Sequence, residues 1–274
     1  MNIGGSAPDT PAGFAASVRA PNSIIWTAPS PHPLRPGDRM SVRVTPARGA
    51  RRAIAILVPP WKIANARLVA GYTRLLSRAG QEVWLVCPPH HLDRTLPGAR
   101  SGEGFVSLDL HRLRAVFEQL VLEIRVLVSL ASQRGPVGLV GLSLGGLAGA
   151  LAATAPERLD YAALVAPANI ALTMTATRIG LRYRRLAALA GEAMPKEAAL
   201  AAALTPFDPS QRAPTARRIF LASGSHDRIV PPDGPAALAR AWGLPVRTYQ
   251  RGHMSLLFLC RALRRDLARF ASAG

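Results

Sequence analysis

The sequence predicts an α/β protein whose central sheet is mostly parallel and flanked by helices. Apolar runs at residues 52–58, 82–87 and 137–140 indicate buried parallel strands, and the first two end in a Pro-Pro pair that cannot continue a ladder. Between those two runs, apolar side chains recur at helical spacing over residues 65–79, and Gly80 supplies a stop. This alternation is typical of parallel strands joined by helical crossovers.

The rest of the chain continues the alternation. Apolar residues from Leu110 to Val128 recur at i, i+3, i+4 and i+7 spacing and predict a long helix, which Ser107 or Asp109 can cap. Further strands are expected at residues 161–165, 218–222 and 246–249. A helix is expected to end the chain.

The length of 274 residues suits one large α/β domain, and no strong linker divides the chain. We expect a Pro-rich N-terminal arm with the first strands over residues 1–50, and the main domain over 51–274. An insertion at approximately 170–215, between two predicted strands, is the candidate for a small helical cap over the site.

Targeting signals and cysteines bear on where the protein resides. The N-terminal arm lacks the basic start and unbroken apolar stretch of a secretory signal, and no run approaches the roughly 18 apolar residues of a membrane span. Cys87 and Cys260 are far apart in sequence, which favours buried free thiols over a disulfide framework. These features favour a cytoplasmic protein.

The formal net charge is +18, a balance that often accompanies nucleic-acid or anionic-membrane binding. The basic excess is spread along the chain, and Lys62 and Lys196 are its only lysines. We therefore interpret the charge as an arginine-rich composition, and with aromatic residues at 5% we expect no nucleic-acid partner. Peripheral contact with anionic lipid, through arginines of the cap insertion, stays open.

The most informative motif is Gly-Leu-Ser-Leu-Gly at residues 141–145, which follows a predicted strand and precedes a run of small, helix-compatible residues. In this strand–turn–helix context, Ser143 would occupy a tight turn with disfavoured backbone angles. Side chains at Gly141 and Gly145 would collide there, which explains the glycines. The motif predicts a serine nucleophile.

A serine hydroxyl is a poor nucleophile at neutral pH, so it needs a histidine base oriented by a carboxylate. Asp227 and His253 each follow a predicted strand, so both are expected at the ends of strands in the sheet, where catalytic side chains are expected. We predict that Ser143 attacks, that His253 acts as base and then as acid, and that Asp227 orients His253. The chain order is Ser, Asp, His.

From about Arg52 to Phe270 the chain resembles the α/β-hydrolase superfamily, in particular its serine esterases and lipases. The resemblance rests on the turn at Ser143, a Gly-x-x-Asp-x-x-Val-Pro segment that contains Asp227, and a Gly-His pair at His253. It implies the α/β-hydrolase fold, with a cap inserted before a late strand.

The resemblance also implies an oxyanion hole made by two backbone N–H groups, one of them from Leu144. For the other, the family commonly has His-Gly, whereas this chain has Pro59-Pro60 followed by Trp61, and proline carries no N–H. Trp61 is therefore the expected second donor.

Ligands of open α/β sheets bind beyond the carboxyl ends of the strands, so the loop after residue 87 should border the site. His90, His91 and Arg94 in this loop are expected to contact substrate. The His-His-x-Asp sequence could suggest a metal, but its spacing fits no recognised zinc pattern and a serine triad needs none. We expect no metal and no cofactor.

These features predict a serine hydrolase that cleaves a small-molecule carboxylic ester through an acyl-enzyme intermediate. An acyltransferase or thioesterase with the same triad is an alternative, because the triad does not distinguish these reactions. A non-catalytic α/β-hydrolase-like binding protein is another, motivated by the Pro59-Pro60 loop. Acyl length, leaving group and oligomeric state are left open.

Overall fold

A computed structural model describes residues 10–20, 23–107, 109–169 and 197–273, together with the single positions 180 and 185. Its strands form a nine-stranded sheet in the order β1-β2-β3-β5-β4-β6-β7-β8-β9. The strands are β1 (Ala15–Ala20), β2 (Ser23–Pro29), β3 (Arg39–Thr45), β4 (Ala53–Val58), β5 (Gln81–Cys87), β6 (Val137–Leu142), β7 (Tyr161–Val165), β8 (Ile219–Gly224) and β9 (Val246–Tyr249).

The sheet has an antiparallel and a parallel part. Strands β1, β2 and β3 pair antiparallel, and β3 pairs antiparallel with β5. From β5 through β4 to β9 every pairing is parallel. The mostly parallel α/β sheet is therefore confirmed, and the strands within residues 1–50 extend the same sheet.

The helices predicted at residues 65–79, at 110–128 and directly after Ser143 are present near those positions, whereas the helix at Asp233–Ala241 was not predicted and the helical C-terminus consists of two helices. The helices of the described residues are α1 (Ala70–Arg78), α2 (Leu110–Ser132), α3 (Leu144–Ala152), α4 (Glu197–Leu204), α5 (Asp233–Ala241), α6 (His253–Leu259) and α7 (Arg261–Ser272). Of the two candidate caps for α2, Asp109 fills the position, because its side chain accepts the N–H groups of His111 and Arg112.

Helices cover both faces of the sheet, as the unbroken apolar strands require. Along β4, Ile54, Ile56 and Val58 pack on the side of α2 and α3, whereas Ala55 and Leu57 pack on the side of α1, α6 and α7. The parallel strands are buried from both sides, so their carboxyl ends are held in fixed positions.

Most of the predicted cap at 170–215 falls outside the described residues. Its last part is α4 and two short 3-10 turns at Thr205–Phe207 and Pro209–Gln211. Leu204 and Phe207 are buried, and the Phe207 ring lies 5.5 Å from that of Phe117 on α2. This part of the insertion is packed onto the main domain.

Within the described residues, no helix is both long and apolar enough to cross a membrane. Both cysteines are free and buried. Burial raises the pKa of the Cys87 thiol to about 12, which keeps it protonated near neutral pH.

Candidate active site

Ser143 lies at the turn between β6 and α3, with φ 55° and ψ −111°. A non-glycine residue in this region is strained, and such strain is frequent at functional sites. A Cβ atom on Gly141 would overlap the carbonyl oxygen of Gly145, and one on Gly145 would overlap that of Val58. Glycines at these positions therefore let the strand, the turn and the end of β4 come together.

Asp227 follows β8 and is 4% exposed. Its Oδ1 accepts the backbone N–H groups of Ile229 at 2.9 Å and Val230 at 2.8 Å. These bonds fix the carboxylate and leave Oδ2 for another partner. The loop itself is tied to the next one, because the His226 N–H donates to the carbonyl of Arg251 at 3.1 Å.

His253 begins α6, shortly after β9, and its ring joins the other two side chains. Its Nδ1 lies 2.6 Å from Asp227 Oδ2, and its Nε2 lies 3.0 Å from Ser143 Oγ. With Nδ1–H donating to the carboxylate, Nε2 is left as the acceptor of the serine proton. All three residues are buried, with Ser143 7%, Asp227 4% and His253 8% exposed.

The structure thus brings together three residues that lie 84 and 26 positions apart in sequence, since 227 − 143 = 84 and 253 − 227 = 26. A serine whose hydroxyl faces a histidine, itself held by a buried carboxylate, can deprotonate as it attacks an electrophilic carbon. The imidazolium formed in that step would be stabilised by Asp227.

The loop after β4 lies against the serine turn. The carbonyl oxygens of Val58 and Pro59 both approach Gly145 so closely that a Cβ there would not fit. Further along, the Trp61 indole N–H donates to the carbonyl of Gly102 at 2.9 Å, and the Lys62 backbone N–H donates to His91 Nε2 at 3.1 Å. Leu144 is the first residue of α3, where backbone N–H groups have no partner inside the helix.

His91 is fully buried, and both of its ring nitrogens are bonded within the protein. Because Nε2 accepts from Lys62, the proton is on Nδ1, which donates to the carbonyl of Pro89 at 2.8 Å. Burial lowers the pKa of His91 to about 4, so the ring is neutral near neutral pH. Contact between this ring and a substrate would require these bonds to break.

His90 is buried as well, and neither ring nitrogen has a hydrogen-bond partner in the described part of the chain. It has φ 63°, and its carbonyl accepts the N–H of Gly102 at 2.8 Å. Burial, reinforced by the positive charge of Arg112, lowers the pKa of His90.

Arg94 forms a buried ion pair, with Nη1 2.6 Å and Nη2 3.1 Å from the two carboxylate oxygens of Glu123. Its Nη2 also lies 3.4 Å from Asp38. Burial raises the pKa of Glu123, and the guanidinium of Arg94 opposes that rise. A substrate contact by Arg94 would have to compete with its ion pair to Glu123. The sequence does not reveal this ion pair, because the two residues lie on distant segments.

The neighbouring Asp93, third member of the His-His-x-Asp sequence, pairs with Arg43 on β3 through two bonds of 2.7 Å. Among the described residues no group of three His, Cys, Asp or Glu side chains is arranged to hold a metal ion.

A cavity of about 290 Å³ is lined partly by residues of α3 and of the loop after β7, and its lining does not include the three residues Ser143, Asp227 and His253. Its lining includes Leu147 of α3, Ala168 of the loop after β7, and Leu204 at the end of α4. The Ala168 N–H donates to the carbonyl oxygen of Ser143 at 3.2 Å, so this loop is in direct contact with the turn. Sequence reasoning named the cap but not this loop, and a signal was available, since the loop directly follows a strand of the predicted parallel sheet.

Comparison with protein families identifies the family to which the chain belongs. The profile of the serine hydrolase family matches residues 109–257, more than half of the chain, and the chain belongs to this family. The matched range includes Ser143, Asp227 and His253. Comparison with curated protein sequences finds no match.

Three solved structures with a similar fold are distant from this chain in sequence. An acetyl xylan esterase from Paenibacillus sp. R4 is 14% identical with a TM-score of 0.64, over 95% of this chain and 87% of that one. An enol-lactonase from Burkholderia xenovorans LB400 is 19% identical (TM-score 0.54; 88% and 99% covered), and a Paleococcus ferrophilus monoacylglycerol lipase 15% identical (TM-score 0.55; 85% and 98% covered). At these identities the likeness establishes the α/β-hydrolase fold.

Proposed function

We propose that this serine hydrolase cleaves a carboxylic ester through an acyl-enzyme intermediate, with Ser143, His253 and Asp227 as its catalytic triad. The observation that carries the proposal is the continuous hydrogen-bonded chain from Ser143 Oγ through the His253 ring to Asp227, at 3.0 Å and 2.6 Å. The serine is held at a strained turn, and the carboxylate is fixed by two backbone N–H groups.

In the proposed reaction, Ser143 Oγ attacks the acyl carbon while His253 Nε2 takes the hydroxyl proton. The tetrahedral intermediate collapses as His253 returns that proton to the leaving alcohol, which leaves the acyl group on Ser143. A water molecule, deprotonated by His253, then attacks the acyl carbon, and Ser143 recovers its proton as the carboxylic acid departs.

The negative oxygen of each tetrahedral intermediate needs preorganised donors. We assign these to the backbone N–H groups of Leu144, at the start of α3, and Trp61, in the loop after β4. For Leu144 the support is its position directly after the nucleophile, at a helix N-terminus whose dipole favours negative charge. For Trp61 the support is the packing of its loop against Gly145.

The substrate class is supported by resemblance to solved structures. Three proteins of this fold are an esterase, a lipase and a lactonase by name, and each name denotes cleavage of an ester or its cyclic form. Transfer of the acyl group to an alcohol or thiol would use the same residues, so the acceptor decides between hydrolysis and transfer.

The proposal is tested with a panel of p-nitrophenyl esters from acetate to palmitate, assayed with the natural sequence and with Ser143→Ala. We expect saturable turnover of at least one chain length, and loss of that turnover in the variant. Adding an alcohol acceptor and measuring the acid and ester products separates hydrolysis from acyl transfer. Turnover of an ester at the same rate by Ser143→Ala would contradict the proposal.

A further inference from the structure

We propose that His91 is a positioning residue for the oxyanion hole, because it fixes the backbone of residues 59–62 and thereby the place of the Trp61 N–H beside Ser143. The inference rests on the proposed function and extends it to a residue outside the triad. It gives His91 a role through the loop after β4, not through contact with substrate.

The loop after β4 needs an external anchor because Lys62 has φ 58°, in the left-handed region that residues with a Cβ disfavour. The anchor is at that same residue, since the Lys62 backbone N–H donates to His91 Nε2 at 3.1 Å. The Lys62 ammonium also lies 4.5 Å from the centre of the Trp61 ring.

His91 can serve as an anchor because it is itself immobilised. Its Nδ1–H donates to the carbonyl of Pro89, and its ring packs edge-on against Phe105 with centroids 5.3 Å apart. With no exposed surface and a neutral ring near neutral pH, His91 keeps a lone pair on Nε2 for Lys62.

Gly102 packs against both His91 and the loop after β4. A Cβ atom at Gly102, where φ is 80°, would lie 2.6 Å from His91 Nε2 and 2.9 Å from the Lys62 backbone nitrogen. The Gly102 carbonyl accepts the indole N–H of Trp61, and its own N–H donates to the carbonyl of His90. The imidazole, the glycine and the loop after β4 therefore form one packed unit, which we call the His91 anchor (His91, Gly102 and residues 61–62).

The His91 anchor is connected to the nucleophile over a short length of chain. The loop begins at Val58 and Pro59, whose carbonyl oxygens pack on Gly145, two residues after Ser143. It is thus held at both ends, by Gly145 at its start and by His91 at Lys62. The backbone between these points contains Pro60 and Trp61.

The donors of the loop can be assigned one by one. Pro59 and Pro60 have no N–H, and the N–H of Lys62 is bonded to His91. The backbone N–H that this segment can direct to an oxyanion therefore belongs to Trp61. Oxyanion donors act at 2.7–3.1 Å from the developing charge, so a small shift of the loop weakens the contribution of Trp61.

The test compares three substitutions at His91 in the intact protein. His91→Gln places an amide oxygen near the position of Nε2 and can still accept from Lys62. His91→Asn places a donor near Nδ1 for Pro89 but no acceptor near Lys62, and His91→Phe provides neither. For hydrolysis of the best p-nitrophenyl ester, we expect kcat to fall about 10- to 100-fold in His91→Phe and His91→Asn, with KM within about threefold.

Retention of activity in His91→Gln distinguishes a positioning role from a purely structural one. His91→Gln should retain kcat within about fivefold of the natural protein, well above His91→Asn. An alkyl boronic acid, which forms a tetrahedral adduct on a catalytic serine, should lose affinity in proportion to the loss of kcat/KM. A purely structural role would lower the melting temperature without this order among the variants.

Gln81→Leu is the matched control. Gln81 is 2% exposed and starts β5, the strand whose other end leads to His91. Its amide donates to the carbonyl of Ala271 at 2.9 Å and accepts the hydroxyl of Tyr161 at 2.6 Å. This variant should lose stability comparably to His91→Phe and keep kcat within about twofold, since it lies at the amino end of the strand.

The outcomes separate the two proposals. Absence of ester turnover and of boronate binding in the natural protein would overturn the proposed function itself. An active natural protein with kcat within twofold in folded His91→Phe, or with equal losses in His91→Gln and His91→Asn, would overturn the role of His91 alone.

Discussion

His253 and His91 are both buried histidines with both ring nitrogens hydrogen-bonded, but their partners differ in kind. His253 lies between a carboxylate and a hydroxyl, whereas His91 lies between a backbone carbonyl and a backbone N–H. An imidazole between a carboxylate and a hydroxyl can accept the hydroxyl proton during a reaction, whereas one that accepts from a backbone amide must stay neutral to do so. The same side chain is therefore suited to proton transfer at one position and to support at the other.

The regions around the two histidines differ in the same way. Around His253 the polar groups converge on a side chain that can change charge, and a strained serine completes the arrangement. Around His91 the polar groups are backbone atoms, and Gly102 and Phe105 pack against the ring. In the proposed function, His253 thus takes part in the chemistry and His91 in positioning, and both residues follow strands of the parallel part of the sheet.

The largest effect is expected at His253. His253→Ala removes the group that accepts the serine proton, so kcat for the best p-nitrophenyl ester should fall by roughly 10⁶-fold. Circular dichroism should remain that of the natural protein. Activity within tenfold of the natural protein would mean that another base acts. It would contradict the assignment of proton transfer to His253 and of a supporting role to His91.

Asp227→Asn is expected to have the next largest effect, roughly 10⁴-fold on kcat, because an amide can hold the imidazole in the wrong tautomer. The variant keeps the shape of the side chain and an oxygen for the N–H groups of Ile229 and Val230. Steady-state kinetics at several pH values checks the expectation. A loss confined to KM would indicate that Asp227 binds substrate instead.

Gly102→Ala should disturb the His91 anchor through steric overlap. The added methyl group would approach His91 Nε2 at 2.6 Å, and we expect kcat to fall about 10- to 100-fold. Gly98→Ala is the matched control, since Gly98 has φ 76° and no heavy atom within 4 Å of its would-be Cβ. Both variants place an alanine at a similar left-handed φ, so equal kcat values in the two would contradict the proposed role of the His91 anchor.

The last prediction concerns the pH dependence of stability and involves no change in catalytic rate. His91 has a pKa of about 4 in the folded protein, below the value of about 6.5 of an unfolded chain. Between these values the unfolded state binds more protons, so the stabilisation by neutral His91 is complete above about pH 6.5 and is lost as pH falls towards 4. The full difference corresponds to about 3 kcal/mol.

Urea unfolding at pH 7.5 and pH 4.5 measures this difference. The free energy of unfolding should drop more for the natural protein than for His91→Gln, by about 2–3 kcal/mol. An equal drop in both proteins would show that His91 is not the group that titrates.

The sequence predicted the parts of the molecule that short-range patterns determine. Apolar runs predicted β4, β5 and β6, and the glycines at 141 and 145 predicted the tight turn at Ser143. These features depend on neighbouring residues, so composition and spacing are sufficient to identify them.

Motifs in the order Ser, Asp, His also predicted the grouping of Ser143, Asp227 and His253, but other long-range partners were not predictable in this way. The sequence grouped His90, His91 and Arg94 in one loop that borders the site. In the structure, Arg94 forms an ion pair with Glu123, and His91 accepts a hydrogen bond from the Lys62 backbone N–H. Such pairs depend on how distant segments pack, and no local pattern contains them. Substrate contact by His90 and Arg94 stays a prediction, and for His91 we propose the anchoring role instead.

The most direct test of the account is to find which residue a fluorophosphonate modifies. Such probes phosphonylate an activated serine, and peptide mapping by mass spectrometry identifies the modified residue. We predict one adduct, on Ser143, formed quickly in the natural protein and absent in Ser143→Ala. An adduct on another residue, or none in a folded protein, would contradict the account.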